Sequence, residues 1–186
     1  MNEAQLSDWT LIPGSEQAVS AVRERCRQMV RKRATMAAGF SAVPVPGLDL
    51  VSDISLFTKL IDEVNSEFGL TEKQILRLQP KYRLLAYQAA VGVGGMMVGK
   101  LVTRDLLLLL FKKVGVRIAS KTAAKLVPVA GSVVSAAIGF TVFRKLGYQH
   151  VEACARVAEK LNQARTVSVL NNKGPILAVG PGWLSL

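Results

Sequence analysis

The sequence predicts an all-α protein, a compact multi-helix bundle with two glycine-rich apolar helices. Three observations predict it. Apolar residues recur at helical spacing, proline-containing breaks separate the helical stretches, and 50% of the 186 residues are hydrophobic, enough to bury a core. We expect an N-terminal arm at residues 1–14, a single helical domain at residues 15–165 and a Gly- and Pro-containing apolar tail at residues 166–186.

The first predicted helix covers residues 15–39 and can begin with Ser15 as its cap. One face of this helix is apolar and the other is basic, with Arg23, Arg27 and Arg31 at spacings that keep them close together. Such a basic face suits lipid headgroups, phosphate or the acidic surface of a partner.

The next two helices are predicted from breaks and caps. Two prolines two residues apart cannot continue a helix, so the second helix follows this break and covers about residues 49–68. We expect the turn at its start to be built by Pro44, Pro46 and Gly47.

A short third helix is predicted to run to about residue 79. Thr71 and Gln74 have the spacing of a capping box, in which each side chain accepts a hydrogen bond from the other residue's backbone N–H. From residue 82 to residue 111 the sequence is then mostly apolar.

Two long stretches contain no charged residue, residues 84–99 and 126–143. Crossing a bilayer takes about 20 apolar residues, with a range of roughly 17–25. The first stretch is short for this and the second meets the lower limit, so a membrane hairpin and a buried core both fit them. Pro128, near the start of the second stretch, is expected in a helix-start turn. Further helices are expected at residues 116–126, 132–146 and 148–165, with Gly147 as a helix stop. Small residues spaced for close helix packing in a bundle or hairpin are Gly95, Gly99, Gly131, Ser135 and Gly139.

The charge is unevenly distributed along the chain. Residues 1–72 carry seven Lys/Arg and ten Asp/Glu, whereas residues 73–186 carry seventeen Lys/Arg and three Asp/Glu. Because the basic part is also the apolar part, an anionic membrane surface is the expected partner; a solvated protein surface is the alternative. The candidate contacts in this part are Lys112, Lys113, Arg117, Lys121 and Lys125.

Catalytic and metal-binding patterns are weak. The single histidine, His150, is expected on the surface of the last helix, and Cys26 and Cys154 are expected as buried thiols in a reducing compartment. Residues 94–100 match most of a phosphate-binding loop, but Leu101 replaces the magnesium-binding Ser or Thr and the preceding stretch reads as helix. We therefore expect a non-enzyme with no cofactor or metal site.

Three segments carry a family resemblance. Residues 42–53 (AVPVPGLDLVSD), 67–70 (EFGL) and 124–136 (AKLVPVAGSVVSA) resemble, in this order, the YcjF-like helical domain of bacteria and, more distantly, the helical domain of immunity-related GTPases. The resemblance covers about residues 35–160 and implies an all-helical, membrane-associated module that works with a GTPase. Since this sequence carries no GTPase domain, that GTPase is expected on a separate chain.

Two functions follow as hypotheses. The first is a membrane-associated helical adaptor or regulatory module without catalytic activity, located on the cytoplasmic side of a membrane as a peripheral or integral protein. The alternative is a pore-forming toxin or secreted effector that inserts its apolar helical hairpin into a membrane. Nucleic acid is a poor candidate partner because only 6% of the residues are aromatic, and a homo-oligomer is compatible with either function.

Overall fold

The computed structural model describes residues 11–41, 49–94, 97–99, 104–123 and 131–172. All regular elements in these residues are helices, in agreement with the predicted all-α bundle. The helices are α1 (Glu16–Ser41), α2 (Asp49–Glu67), α3 (Glu72–Leu76), α4 (Pro80–Gly92), α5 (Arg104–Ala123) and α6 (Gly131–Asn172).

The predicted caps are present at the starts of α1 and α3. The Ser15 side chain accepts a hydrogen bond from the Ala18 backbone N–H at 3.1 Å. At α3 the capping box is complete, since Thr71 Oγ1 accepts from the Gln74 N–H at 3.3 Å and Gln74 Oε1 accepts from the Thr71 N–H at 2.9 Å. These side chains satisfy backbone donors that have no partner within a helix.

Helix α6 corrects two predictions. Residues 132–146 and 148–165 do not form separate helices, because α6 is one helix of 42 residues that passes through Gly147. A Cβ atom at Gly147 would lie 2.7 Å from Val30 Cγ1 of α1, so this glycine allows close helix packing where a helix stop was predicted. Helix α6 also continues to Asn172, beyond the predicted start of the tail.

The apolar stretch of residues 84–99 is not one helix. Helix α4 ends at Gly92, and Gly94 and Gly99 both have a positive φ, which marks turns. None of the helices in the described ranges has the length and hydropathy needed to cross a bilayer.

Helix α6 lies at the centre of the bundle and contacts α1, α2, α4 and α5. Three aromatic rings join α2, α5 and α6. Phe57 packs edge-to-face against Phe111 and Phe143, with ring centroids 5.1 and 5.0 Å apart. This arrangement is favourable for aromatic rings and fixes α5 against the first half of α6.

Candidate functional site

The arginines of α1 face acidic residues of α6. Arg23 Nη2 lies 2.8 Å from Glu159 Oε1, and Arg27 Nη2 lies 2.7 Å from Glu152 Oε1. Arg23 Nε also approaches Glu152 at 3.6 Å. These groups are partly buried between the two helices. Because each arginine pairs with a carboxylate, their charges are largely neutralised within the fold.

The other arginines of α1 form ion pairs as well. Arg31 pairs with Glu24 at 3.1 Å within the helix. Two further pairs connect α1 to α2 and join Arg25 to Glu67 and Arg33 to Glu63. The basic face predicted on this helix is therefore a set of ion pairs, of which most hold neighbouring helices together.

Helix α5 presents a different basic surface. Lys112 and Lys113 are exposed, and so are the apolar side chains of Leu109 (66%) and Val116 (62%). Positions 109, 112, 113 and 116 fall on one side of a helix of 3.6 residues per turn. We call these four residues the α5 face. No ion pair joins either lysine to an acidic residue in the part of the chain that the structure describes.

The opposite side of α5 faces the core. Leu107 is fully buried there, and Phe111 and Val114 pack against the buried cluster. The exposed Arg117 follows the α5 face by one residue, and Asp105 in the first turn is the one acidic residue of α5. The α5 face is thus apolar along its centre and basic on both flanks.

The structure describes some of the remaining predicted residues and not others. A Cβ at Gly99 would lie 2.5 Å from Ile75 Cδ1, so this glycine lies in a tight contact as well as a turn. At Gly139, in contrast, a Cβ would meet no described atom within 4 Å, so the expected close packing is not found there. Lys121, Gly131 and Ser135 lie within helices. The predicted residues outside the described ranges are Pro44, Pro46, Gly47, Gly95, Lys125 and Pro128.

Sequence reasoning missed a buried polar cluster between α2 and α6. His150 was expected on the surface, but its exposed fraction is 2%. Its Nε2 lies 3.5 Å from Cys154 Sγ, which also lies 3.5 Å from Asn65 Oδ1. Asn65 Nδ2 in turn donates to the Met97 carbonyl at 3.2 Å. The i, i+4 spacing of His150 and Cys154 was the available signal, because it places both side chains on one helix face.

The cluster is electrically neutral at pH 7. Burial lowers the pKa of His150 from 6.5 to about 4. Burial also raises the pKa of Cys154 above its usual value, and burial with the nearby Glu67 carboxylate raises that of Cys26 to about 12. A catalytic cysteine requires a thiolate, whereas this pair holds a thiol beside a neutral imidazole. The buried thiols expected from the sequence are confirmed.

Within the described ranges, no three His, Cys, Asp or Glu side chains come together as a metal site. The loop-like sequence at residues 94–100 follows helix α4 and not a strand, as the sequence indicated. A phosphate-binding loop needs a strand before it, so this segment lacks that context.

Comparisons with known proteins gave no match. The chain matches no family model, no curated protein and no solved structure.

Proposed function

We propose that this protein is a membrane-associated helical adaptor that binds an anionic membrane surface through the α5 face and has no catalytic activity of its own. The observation that carries the proposal is the exposure of Leu109 and Val116 between Lys112 and Lys113 on one side of α5.

The chemistry of this face suits a lipid interface. Leu109 and Val116 would enter the boundary between headgroups and acyl chains, and further burial of each side chain would stabilise the bound state by on the order of 1 kcal/mol. Lys112 and Lys113 would keep their ammonium groups among the headgroups, where each basic residue contributes about 1 kcal/mol. The inner side of α5 would stay in the core through Leu107, so the bundle would not have to open.

A GTPase on a separate chain is the proposed partner of the adaptor. The resemblance of residues 42–53, 67–70 and 124–136 to the YcjF-like helical domain supports this part of the proposal. A cytoplasmic location at the membrane surface fits such a partner, since cytoplasmic leaflets carry the anionic lipids that the α5 face would bind.

Sedimentation with vesicles tests the membrane function. We expect the full chain to bind phosphatidylcholine vesicles that contain phosphatidylserine, to bind pure phosphatidylcholine vesicles much more weakly, and to lose most binding in 1 M salt, where the Debye length falls to about 3 Å. Equal binding to both vesicles would contradict the electrostatic part. Release of a trapped dye would instead favour the pore-forming alternative.

A further inference from the structure

A shallow, open groove lies between helices α4 and α6, away from the α5 face. The groove has a volume of about 640 Å³ and is lined by Leu85 of α4 and by Lys160, Ala164, Val167 and Ser168 of α6. A groove between two helices can take up the side chains of a third helix, as amphipathic peptides do in several recognition domains.

Exposed apolar side chains also lie on neighbouring faces of both helices. On α4, Leu84 and Val91 are seven residues apart and exposed, Val91 by 80%. On α6, Val167 and Leu170 are exposed, Leu170 by 64%. The i, i+7 and i, i+3 spacings place each pair on one side of its helix. Of these four residues Val167 lines the groove itself, and exposed apolar residues near a groove are typical of a binding surface.

The charges around the groove are basic. Lys160 lines it, Arg156 is exposed one turn earlier on the same side of α6, and Lys81 Nζ donates to Ser168 Oγ at 3.3 Å. Helix α4 contains no acidic residue, and α6 contains none after Glu159. The Glu159 carboxylate pairs with Arg23 of α1. The groove therefore lacks an acidic partner of its own.

We propose that this groove binds an amphipathic helix with an acidic polar face, supplied by a partner protein. The apolar side of that helix would cover Leu85, Ala164 and Val167, which line the groove, and its carboxylates would meet Lys81 and Lys160. Charge complementarity sets the sign of the partner's polar face, because a basic helix would place like charges against these lysines.

The groove and the α5 face are separated along α6. A Cβ at Gly115 of α5 would lie 4.0 Å from Val142, which marks the part of α6 that α5 covers. At about 1.5 Å per residue, Val167 lies roughly 37 Å further along the helix. The two surfaces can therefore be changed one at a time, and the groove proposal does not depend on membrane binding.

Two synthetic peptides test the proposal with the full-length protein. Both are helical, carry leucines at i, i+3, i+4 and i+7, and differ only in the polar face, which is Glu in one and Lys in the other. Fluorescence anisotropy should show binding of the Glu peptide and at least about tenfold weaker binding of the Lys peptide. Lys160→Glu and Val167→Glu should each weaken the Glu peptide by about tenfold or more, while Leu109→Glu on the α5 face should not change it.

Lys160 and Val167 are exposed, so both variants should remain folded. Circular dichroism melting checks that they do. Lys160→Glu should also improve binding of the Lys peptide, a gain that a folding defect cannot produce. The proposal is overturned if the Glu peptide does not bind, if both peptides bind equally, or if Leu109→Glu weakens the peptide as much as Val167→Glu. It is also overturned if Val167→Glu lowers vesicle binding as Leu109→Glu does, because lipid would then occupy the groove.

Discussion

His150 and Cys154 are one helical turn apart on α6, and inside the bundle His150 Nε2 lies 3.5 Å from Cys154 Sγ. Asn65 of α2 accepts a hydrogen bond from the same thiol and reaches the Met97 carbonyl in the segment after α4. The three side chains thus connect α6 to α2 and to the turn that follows α4. Burial keeps the imidazole and the thiol of this cluster uncharged at pH 7.

Acid should destabilise the fold through His150. Its folded-state pKa of about 4 is below the value of 6.5, so the unfolded chain binds the proton first as the pH falls. The contribution of neutral His150 to the free energy of unfolding is therefore fully present above pH 6.5. Up to about 3 kcal/mol of it is lost as the pH falls from 6.5 to 4. Urea unfolding across this range measures the loss. In His150→Gln the loss should be smaller by this amount, and an unchanged pH dependence would show that His150 does not cause it.

Gly147 should not tolerate a side chain. Alanine favours a helix over glycine by about 1 kcal/mol, but a Cβ at Gly147 meets Val30 Cγ1 at 2.7 Å and Cγ2 at 3.0 Å. We expect Gly147→Ala to lower the free energy of unfolding by about 1–2 kcal/mol. Gly139→Ala is the matched control on α6, where no described atom is near, and it should be neutral or stabilising. Equal effects of the two substitutions would contradict the close packing.

The ion pair between Arg27 and Glu152 should act within the fold and not at a membrane. Because the pair is partly exposed, Arg27→Gln should cost at most about 1 kcal/mol, and less at high salt. A double-mutant cycle with Glu152→Gln measures the coupling. Vesicle binding of Arg27→Gln should match that of the native protein. A large loss of vesicle binding would show that α1 also contacts the membrane.

Both cysteines should react slowly while the protein is folded. Cys26 and Cys154 are buried, and burial raises the pKa of each thiol, so little thiolate is available at pH 8. Alkylation by iodoacetamide, followed by mass spectrometry, should proceed at the rate of unfolding and become fast in urea. Rapid modification of Cys154 in the native protein would show that the cluster opens.

The local features of the fold could be predicted from the sequence. Ser15 and the Thr71–Gln74 capping box use side chains within a few residues of the backbone groups that they satisfy, so their spacing is sufficient to predict them. Gly147 was misread because glycine marks a helix end as well as a close helix contact, and only Val30 on another helix decides between the two.

The candidate sites were harder to predict because their partners are distant in sequence. The arginines of α1 could be recognised as a basic face, but Glu152 and Glu159 lie more than a hundred residues away. The wrong prediction for His150 has the same origin, since a separate helix was expected to begin at residue 148 with His150 near its start. The lysines of the α5 face were predicted, whereas the exposure of Leu109 and Val116 between them required the structure.

The most direct test of the membrane function compares two double variants with the same change in net charge. Lys112→Gln/Lys113→Gln removes the lysines of the α5 face, and Lys32→Gln/Lys59→Gln removes exposed lysines of α1 and α2. At about 1 kcal/mol per lysine, the first pair should weaken binding to phosphatidylserine-containing vesicles by roughly 30-fold, and the second by much less. Equal losses in the two variants would show that net charge, and not the α5 face, governs membrane binding.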